Sequence, residues 1–388
     1  MTLEKRLENN LQKKHKQALY RVRSIRQQSQ GANIQIDDQH YHNFCSNDYL
    51  GLSNHREIIS ATKTALDEYG LGSGASALVT GYTKIHQQLE EELAEFTNRS
   101  KVLLFPSGFA ANIGTITALA DKGDCLIMDR LCHASLIDGA KLSGSKLLRY
   151  RHLEIDSLEQ RIEKAQQNLW VITESLFSMD GDSAPLEEIS AICEKNSASC
   201  YVDDAHGFGI YGENGSGSVK AANLSQQQIP VLVATFGKAF GVSGAFVAGS
   251  QALIETLIQS ARSYIYTTAM PPALAAAVLK SLDLVKTENW RREKLFDLIQ
   301  RFREKATEKG IPLSENAHGP VQPVIIGDSS KALKVSEQLA EKNILITAIR
   351  PPTVPKDSAR LRITFSASHD VKQIDLLVAA LADVLNLE

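Results

Sequence analysis

The sequence predicts an α/β protein in which a large domain built on a mainly parallel sheet is followed by a smaller α+β domain. Three observations predict it. From residue 45 to 285, apolar runs of β type (KVLLFP, DCLIMD, LWVITES, SCYVDDA, VLVATF and GAFVAG) alternate with helical stretches. That alternation is the mark of parallel strands covered by helices on both faces. After Pro271 and Pro272 a long charged helical region leads to shorter strand candidates, PVQPVIIG, ILITAI and LRITFS. Finally, 388 residues, 43% hydrophobic and 22% charged, are ample for a large core divided between two domains. The expected division is an N-terminal helix with short strands over 1–44, the large domain over 45–285 and the small one over 286–388.

The first segment spaces Leu3, Leu7, Leu11, Ala18, Val22 and Ile25 at near-helical intervals among lysines and arginines, which reads as an amphipathic helix docked on the body of the protein. Glu4 and Glu8 set it apart from a transit peptide, a segment type poor in acids. A formal net charge of -3 supplies no bulk field for nucleic acid or an anionic membrane. The five cysteines form no C-x-x-C pair, and their odd number does not suit a disulfide framework, so a reducing cytoplasm is expected. No apolar run reaches the ~18 residues of a membrane span.

The chemistry concentrates where strands end. In ATFGKAFGVSGAFVAG, Thr235 and Lys238 occupy a glycine-rich turn directly after an apolar strand, and open α/β sheets bind ligands at the carboxyl ends of their strands. A lysine chosen at random is merely solvated. This one is flanked by Phe236, Gly237, Ala239, Phe240 and Gly241; partial desolvation there lowers a lysine pKa and favours the free amine that forms Schiff bases. The Thr235 hydroxyl is suited to donate to a phosphate.

A second strand, CYVDD, ends in Asp203 and Asp204, followed by His206. Alternate side chains of a strand face opposite ways, so only one of these carboxylates serves a given site. A buried carboxylate opposite a pyridine nitrogen keeps that nitrogen protonated and makes the ring an electron sink; the plainer reading is a carboxylate that caps a turn. Gly207, Gly209 and Gly212 fit G-x-G-x-x-G, but ENGSGSVK does not continue as a helix, so no helix N-terminus is available for a pyrophosphate and the dinucleotide reading is rejected. In FPSGFAANIGTITALA, Ser107 and Gly108 precede a helical pattern whose first amides can hold a phosphate, or form an ordinary cap. His133 and Ser178 add two more polar groups at strand ends.

Taken together, this set resembles the α-oxoamine synthases, pyridoxal 5'-phosphate (PLP) enzymes of the aspartate-aminotransferase-like fold (fold type I). The resemblance runs through NFCSNDYLGLS, GSGASALVTGY, FPSGFAAN, HASL, VDDAHG, TFGKAFG, YTTAMPP and ARLRITFSASH, in family order over nearly the whole chain. It implies that Lys238 carries the cofactor as a Schiff base, that Asp203 pairs with the pyridine nitrogen, that His206 approaches the ring hydroxyl and that His133 stacks on the ring. Gly108, Phe109, Ser178 and Thr235 would line the ring and phosphate pocket, and Thr267 and Thr268 would reach the phosphate of the other subunit of a homodimer. Arg362 matches the binder of the amino-acid carboxylate, a role that suits its bidentate fork.

Within the family, AIRPPTVP with Arg350 and Thr353, and Arg21 near the N-terminus, are most similar to members that condense L-alanine with a pimeloyl thioester, carried by coenzyme A or acyl carrier protein, in biotin biosynthesis. The implied reaction has Lys238 take the Cα proton, the carbanion attack the thioester carbonyl, and His133 donate to the oxyanion or the β-keto acid before carbon dioxide leaves. Relatives that use glycine are the principal alternative, and Ala77 within GSGASALVTGY departs from the pattern at a contact toward the acyl carrier. A PLP aminotransferase would share Lys238 and Asp203 without needing a thioester. A scaffold on the same fold would keep the positions and lose the chemistry.

Overall fold

The structure, a computed structural model, describes residues 1–165 and 168–386. The strands are β1 (Asn33–Ile36), β2 (Gln39–Asn43), β3 (Lys101–Phe105), β4 (Asp124–Asp129), β5 (Lys146–Tyr150), β6 (Asn168–Glu174) and β7 (Ser199–Asp203). There follow β8 (Val231–Thr235), β9 (Ala245–Gly249), β10 (Val321–Gly327), β11 (Ile344–Leu345), β12 (Thr347–Ile349) and β13 (Ala359–Thr364). The chain divides into two compact units, one of residues 48–178 and 182–292 and a smaller one of 1–47, 179–181 and 293–388.

The larger unit is built on a seven-stranded sheet of order β3-β9-β8-β7-β6-β4-β5. The β5–β4, β4–β6, β6–β7 and β7–β8 ladders are parallel, and β9 runs antiparallel to both of its neighbours. All six residues of β4 are buried. Such strands read as unbroken apolar runs because helices cover both of their faces. The expected α/β architecture is therefore the observed one. KLLRY, which carries β5, falls outside the runs read as strands above; it lies at the sheet edge, where only Tyr150 is buried and no apolar run is required.

In the smaller unit β1 and β2 form a hairpin that β11 joins in parallel, and β10, β13 and β12 form an antiparallel sheet. The N-terminal strands, read above as part of a separate segment over 1–44, thus share a sheet with the C-terminal part of the chain. The helix Leu3–Lys16 ends at a cap on Gln17, and Ala18 takes φ +54°, so Val22 and Ile25 fall beyond the helix. No residue of that helix is buried, and Leu3, Leu7 and Leu11 are 62%, 45% and 47% exposed, in place of the expected docking on the body of its own chain.

Two devices brace the carboxyl edge of the large sheet. Phe208, Phe236, Phe240 and Phe246, all buried, pack together, with Phe208 and Phe240 stacked at 4.8 Å and Phe208 edge-on to Phe246 at 5.0 Å. They form an apolar bed around the turn that carries Lys238. His152 stands between two carboxylates, Nδ1 2.9 Å from Asp129 and Nε2 3.0 Å from Asp182, with Phe177 edge-on to its ring. Burial opposes its charge, but the hydrogen bonds and charges of Asp129 and Asp182 outweigh burial and lift its pKa to about 10.

The His152 pair carries a pH signature. The folded pKa lies above the unfolded value of about 6.5, so the charged ring contributes its full stability below about pH 6.5 and loses it as pH rises through about 10. His152→Gln is expected to lower Tm near neutral pH, with the gap to the unmodified protein closing as melts are taken toward about pH 10. A gap that stays constant over that range would rule out a charged ring as its source.

Candidate active site

Lys238 sits half-buried in the turn between β8 and β9. Phe236 closes the turn by donating its N–H to Gly244 at 2.9 Å, and Val242 donates to the Phe236 carbonyl at 2.8 Å. Gly241, at φ +66°, faces backbone so close that a Cβ would lie 2.4 Å from the Ser53 nitrogen, so this position takes glycine alone. The Thr235 hydroxyl donates to the Gly244 carbonyl at 2.9 Å and accepts from the Gly237 N–H at 3.2 Å. To donate to a phosphate it would have to turn away from Gly244.

Asp203 and Asp204 part as strand geometry requires. The Asp203 carboxylate, 6% exposed, accepts from the side-chain amide of Asn112 at 2.6 Å and from the Ala205 N–H at 3.0 Å, which leaves it acceptor capacity to spare. Asp204 accepts from the Ser175 hydroxyl and, at 2.8 Å, from the Ser218 N–H. Burial raises its pKa to about 6 against those hydrogen bonds, and its oxygens are occupied with holding the 204–218 loop. In that loop Gly209 and Gly212 take positive φ and a three-residue turn follows at Glu213–Gly215; contrary to the expectation of no helix after the glycines, a four-residue helix, Ser218–Ala221, begins inside ENGSGSVK.

His206 is 5% exposed, and its Nδ1 lies 2.7 Å from the Tyr49 hydroxyl. Tyr49 is delivered by a loop that Asp48 folds, accepting from Leu52 N–H at 2.9 Å and from the Ser53 hydroxyl at 2.6 Å. His133 caps the helix Ala134–Ser143, and its ring stands edge-on to Phe109 at 6.4 Å. Although that ring is open to the cleft, the protein around it disfavours its charged form and lowers its pKa, with Asp203 opposing and Lys238 reinforcing the shift. Gly108 and Phe109 open the helix Gly108–Leu119, which Ser107 caps by accepting the Ala110 N–H at 3.2 Å. A Cβ on Gly108 would lie 3.8 Å from that of Thr235, so this helix start and the lysine turn face one another. Ser178, half-buried, follows β6.

Several members of the site escaped the sequence reading. Glu174 ends β6 in register with Asp203 on β7, is 4% exposed and accepts the His133 backbone N–H. Burial and the charge of Asp203 raise its pKa to about 8, although Lys238 acts against them. Asn112 and Ser135, both buried, connect Asp203 to His133. Glu174 follows an apolar strand just as Asp203 does, and that position was its one signal. Tyr49 lies inside NFCSNDYLGLS. Asn112 and Ser135 lie inside FPSGFAAN and HASL, with nothing to single them out.

The remaining candidates fall elsewhere. Thr267 and Thr268 follow the short helix Arg262–Ile265 and line a cavity with Pro106 and Tyr264. Arg21, Arg350, Thr353 and Arg362 belong to the smaller unit. There Arg21 donates to the Thr353 hydroxyl at 3.5 Å and Arg350 to the Ala18 carbonyl, which gathers three of the four; Arg362, 8% exposed, donates to Asn47 at 3.1 Å. Among the described residues no His, Cys, Asp and Glu cluster suits a metal, and no helix is long and apolar enough to cross a membrane.

An amine on a half-buried turn, a buried carboxylate with acceptor capacity to spare, and a twelve-residue helix opening on glycine suit the aldehyde, pyridine nitrogen and phosphate of PLP. The class I and II aminotransferase family model matches residues 39–381. The 8-amino-7-oxononanoate synthase of Pseudomonas savastanoi pv. phaseolicola is 50% identical over 97% of this chain and 94% of its own, and that of Pseudomonas putida (strain W619) is 52% identical over 94% and 93%. Among solved structures, the 8-amino-7-oxononanoate synthase of Francisella tularensis superimposes with a TM-score of 0.79 at 32% identity over 89% of this chain and 97% of its own. A serine palmitoyltransferase of S. paucimobilis with bound PLP–myriocin aldimine gives 0.94 at 27% identity over 100% and 99%. This chain is therefore a PLP-dependent enzyme of the class I and II aminotransferase family and, within it, belongs with the 8-amino-7-oxononanoate synthases.

Proposed function

We propose that the enzyme condenses L-alanine with a pimeloyl thioester, releasing carbon dioxide and the thiol carrier and leaving 8-amino-7-oxononanoate. One observation carries the reading. Lys238, Asp203, His133 and His206 converge at one sheet edge in a chain half identical, along nearly its whole length, to 8-amino-7-oxononanoate synthases.

PLP, when bound, supplies an electron sink for a carbanion at the amino-acid Cα. Lys238 is its attachment point and, as a free amine, the base that takes the Cα proton and later returns it. Asp203 holds the proton on the pyridine nitrogen. His206, itself held by Tyr49, would meet the ring oxygen, and the first amides of the Gly108 helix, at Gly108 and Phe109, would hold the phosphate with Ser178 and, once its hydroxyl turned from Gly244, Thr235. Arg362 binds the alanine carboxylate through its planar fork. His133 donates to the oxyanion as the Cα–C bond forms and the thioester C–S bond breaks. Loss of carbon dioxide and return of the proton at Cα complete the reaction.

The far end of a pimeloyl chain is a carboxylate, which is costly to bury without a cation beside it. Arg21, Arg350 and Thr353, gathered in the smaller unit, are suited to receive it. A homodimer, in which Thr267 and Thr268 reach the phosphate of the other subunit, and a cytoplasmic location complete the proposal. Coenzyme A and acyl carrier protein are both admissible as carriers.

Three measurements test it. Borohydride reduction of the PLP-loaded enzyme is expected to fix the cofactor covalently on Lys238, and peptide mapping that finds it on another lysine removes the foundation of the proposal. Asp203→Asn is expected to keep the fold and retain cofactor while losing about a hundredfold or more in kcat; near-normal turnover would dismiss the carboxylate. L-Alanine with pimeloyl thioester is expected to exceed glycine with acetyl or succinyl thioester in kcat/KM, read by thiol release and product mass. In the same assay Arg21→Ala should weaken pimeloyl thioester more than an uncharged acyl thioester of similar length, and equal losses would assign Arg21 to the carrier instead.

A further inference from the structure

We infer that Ser135 and Asn112 are positioning residues that hold His133 as its Nε2–H tautomer, so that the ring stands at the site as a committed hydrogen-bond donor. The direction of every hydrogen bond in the network follows from the donors and acceptors available.

Tyr201, on β7 and 1% exposed, places its hydroxyl 2.7 Å from the Asn112 Oδ1. The other end of that amide, Nδ2, lies 2.6 Å from the Asp203 Oδ2 and 2.9 Å from the Ser135 Oγ. The amide can stand only one way round. Reversed, it would set its oxygen against the Asp203 carboxylate, two acceptors at hydrogen-bond distance with no hydrogen between them. Burial, and after it the charge of Asp203, raises the Tyr201 pKa, so the phenol keeps a hydrogen to give to Oδ1.

Both Asn112 amide hydrogens are thereby assigned, one to Asp203 and one to Ser135. Ser135 Oγ, fully buried and already accepting from Asn112, has its own hydrogen left to donate, and the ring Nδ1 of His133 lies 2.7 Å away. The Ser135 backbone N–H points at the same nitrogen at 3.3 Å. Two donors converging on Nδ1 require its lone pair, and a neutral imidazole then carries its hydrogen on Nε2. The opposite tautomer would strand the Ser135 hydroxyl hydrogen and leave a first-turn amide of the Ala134–Ser143 helix without a partner. Desolvation by the surrounding protein lowers the His133 pKa, which favours the neutral ring.

The consequence is a division of labour set from one centre. Asn112 spends one hydrogen on the carboxylate assigned to the cofactor nitrogen and, through Ser135, aims the other toward the ring assigned to the acyl oxyanion. A neutral Nε2–H is then presented to the oxygen on which charge develops, with no rearrangement at the moment of reaction. This catalytic consequence rests on the proposed condensation; the tautomer itself does not.

The tautomer can be read directly. In PLP-loaded enzyme labelled with 15N-histidine, the two-bond 1H–15N spectrum of His133, assigned by its loss in His133→Gln, is expected to show a protonated Nε2 and an acceptor Nδ1. A protonated Nδ1 in the unmodified enzyme overturns the inference without recourse to any variant. Ser135→Ala is expected to mix the tautomers and lower kcat by about 10- to 100-fold while KM for L-alanine stays within about twofold; Ser135→Thr, which keeps the hydroxyl, should restore both readouts. An unchanged His133 pattern in Ser135→Ala also overturns it. Should the enzyme fail to turn over L-alanine with pimeloyl thioester and still show the Nε2–H pattern, the network stands and the reaction assignment falls.

Discussion

Three carboxylates stand buried at the carboxyl ends of adjoining strands, and the site is organised around what each needs in order to stay there. Asp129 ends β4, Glu174 ends β6 and Asp203 ends β7, at 0%, 4% and 6% exposure. A buried carboxylate without partners is too costly to keep ionised. Asp129 is met by His152 and by the backbone N–H groups of Leu131 and Leu153 at 2.8 and 2.9 Å. Glu174 takes the His133 N–H, and burial with the charge of Asp203 raises its pKa. Asp203 accepts from Asn112 and the Ala205 N–H with acceptor capacity to spare, and it is the carboxylate to which the cofactor nitrogen is assigned.

The lysine turn depends on a different kind of constraint. Lys238 is held in a half-buried place by packing, since the aromatic bed of Phe208, Phe236, Phe240 and Phe246 and the close approach of Gly241 to Ser53 leave the turn one path. Half-burial of the amine follows from that path. The same turn faces the start of the Gly108 helix, so the apolar packing that places the amine also places it against that helix start. In the smaller unit Arg350 is positioned by the Ala18 carbonyl and Arg21 by the Thr353 hydroxyl, both neutral partners.

Backbone-level features were legible without coordinates because they are written in local pattern. Unbroken apolar runs such as DCLIMD give buried parallel strands, and the residues just beyond them, Lys238, Asp203 and His133, could be singled out because the carboxyl edge of such a sheet is where ligands bind. The rejection of the G-x-G-x-x-G match rested on the same kind of reasoning, and the segment after those glycines holds a three-residue turn and the four-residue helix Ser218–Ala221. KLLRY escaped because an edge strand has one neighbour and no need of apolar residues on both faces. The N-terminal helix shows the converse: its amphipathic spacing is real, but spacing does not say what the apolar face meets.

Sequence alone therefore determined the fold class and the cofactor and singled out candidate side chains at the strand ends, because each depends on residues close together in the chain or on motifs in a fixed order. Tertiary structure decided which of two adjacent aspartates is spent on a loop, that Tyr49 holds His206 across 157 positions of sequence, and that Asn112 and Ser135 join Asp203 to His133. Those are hydrogen bonds between distant segments, and their direction is set by the count of buried donors and acceptors in one small volume. No periodicity or spacing records such a count, because it exists only once the strands have come together.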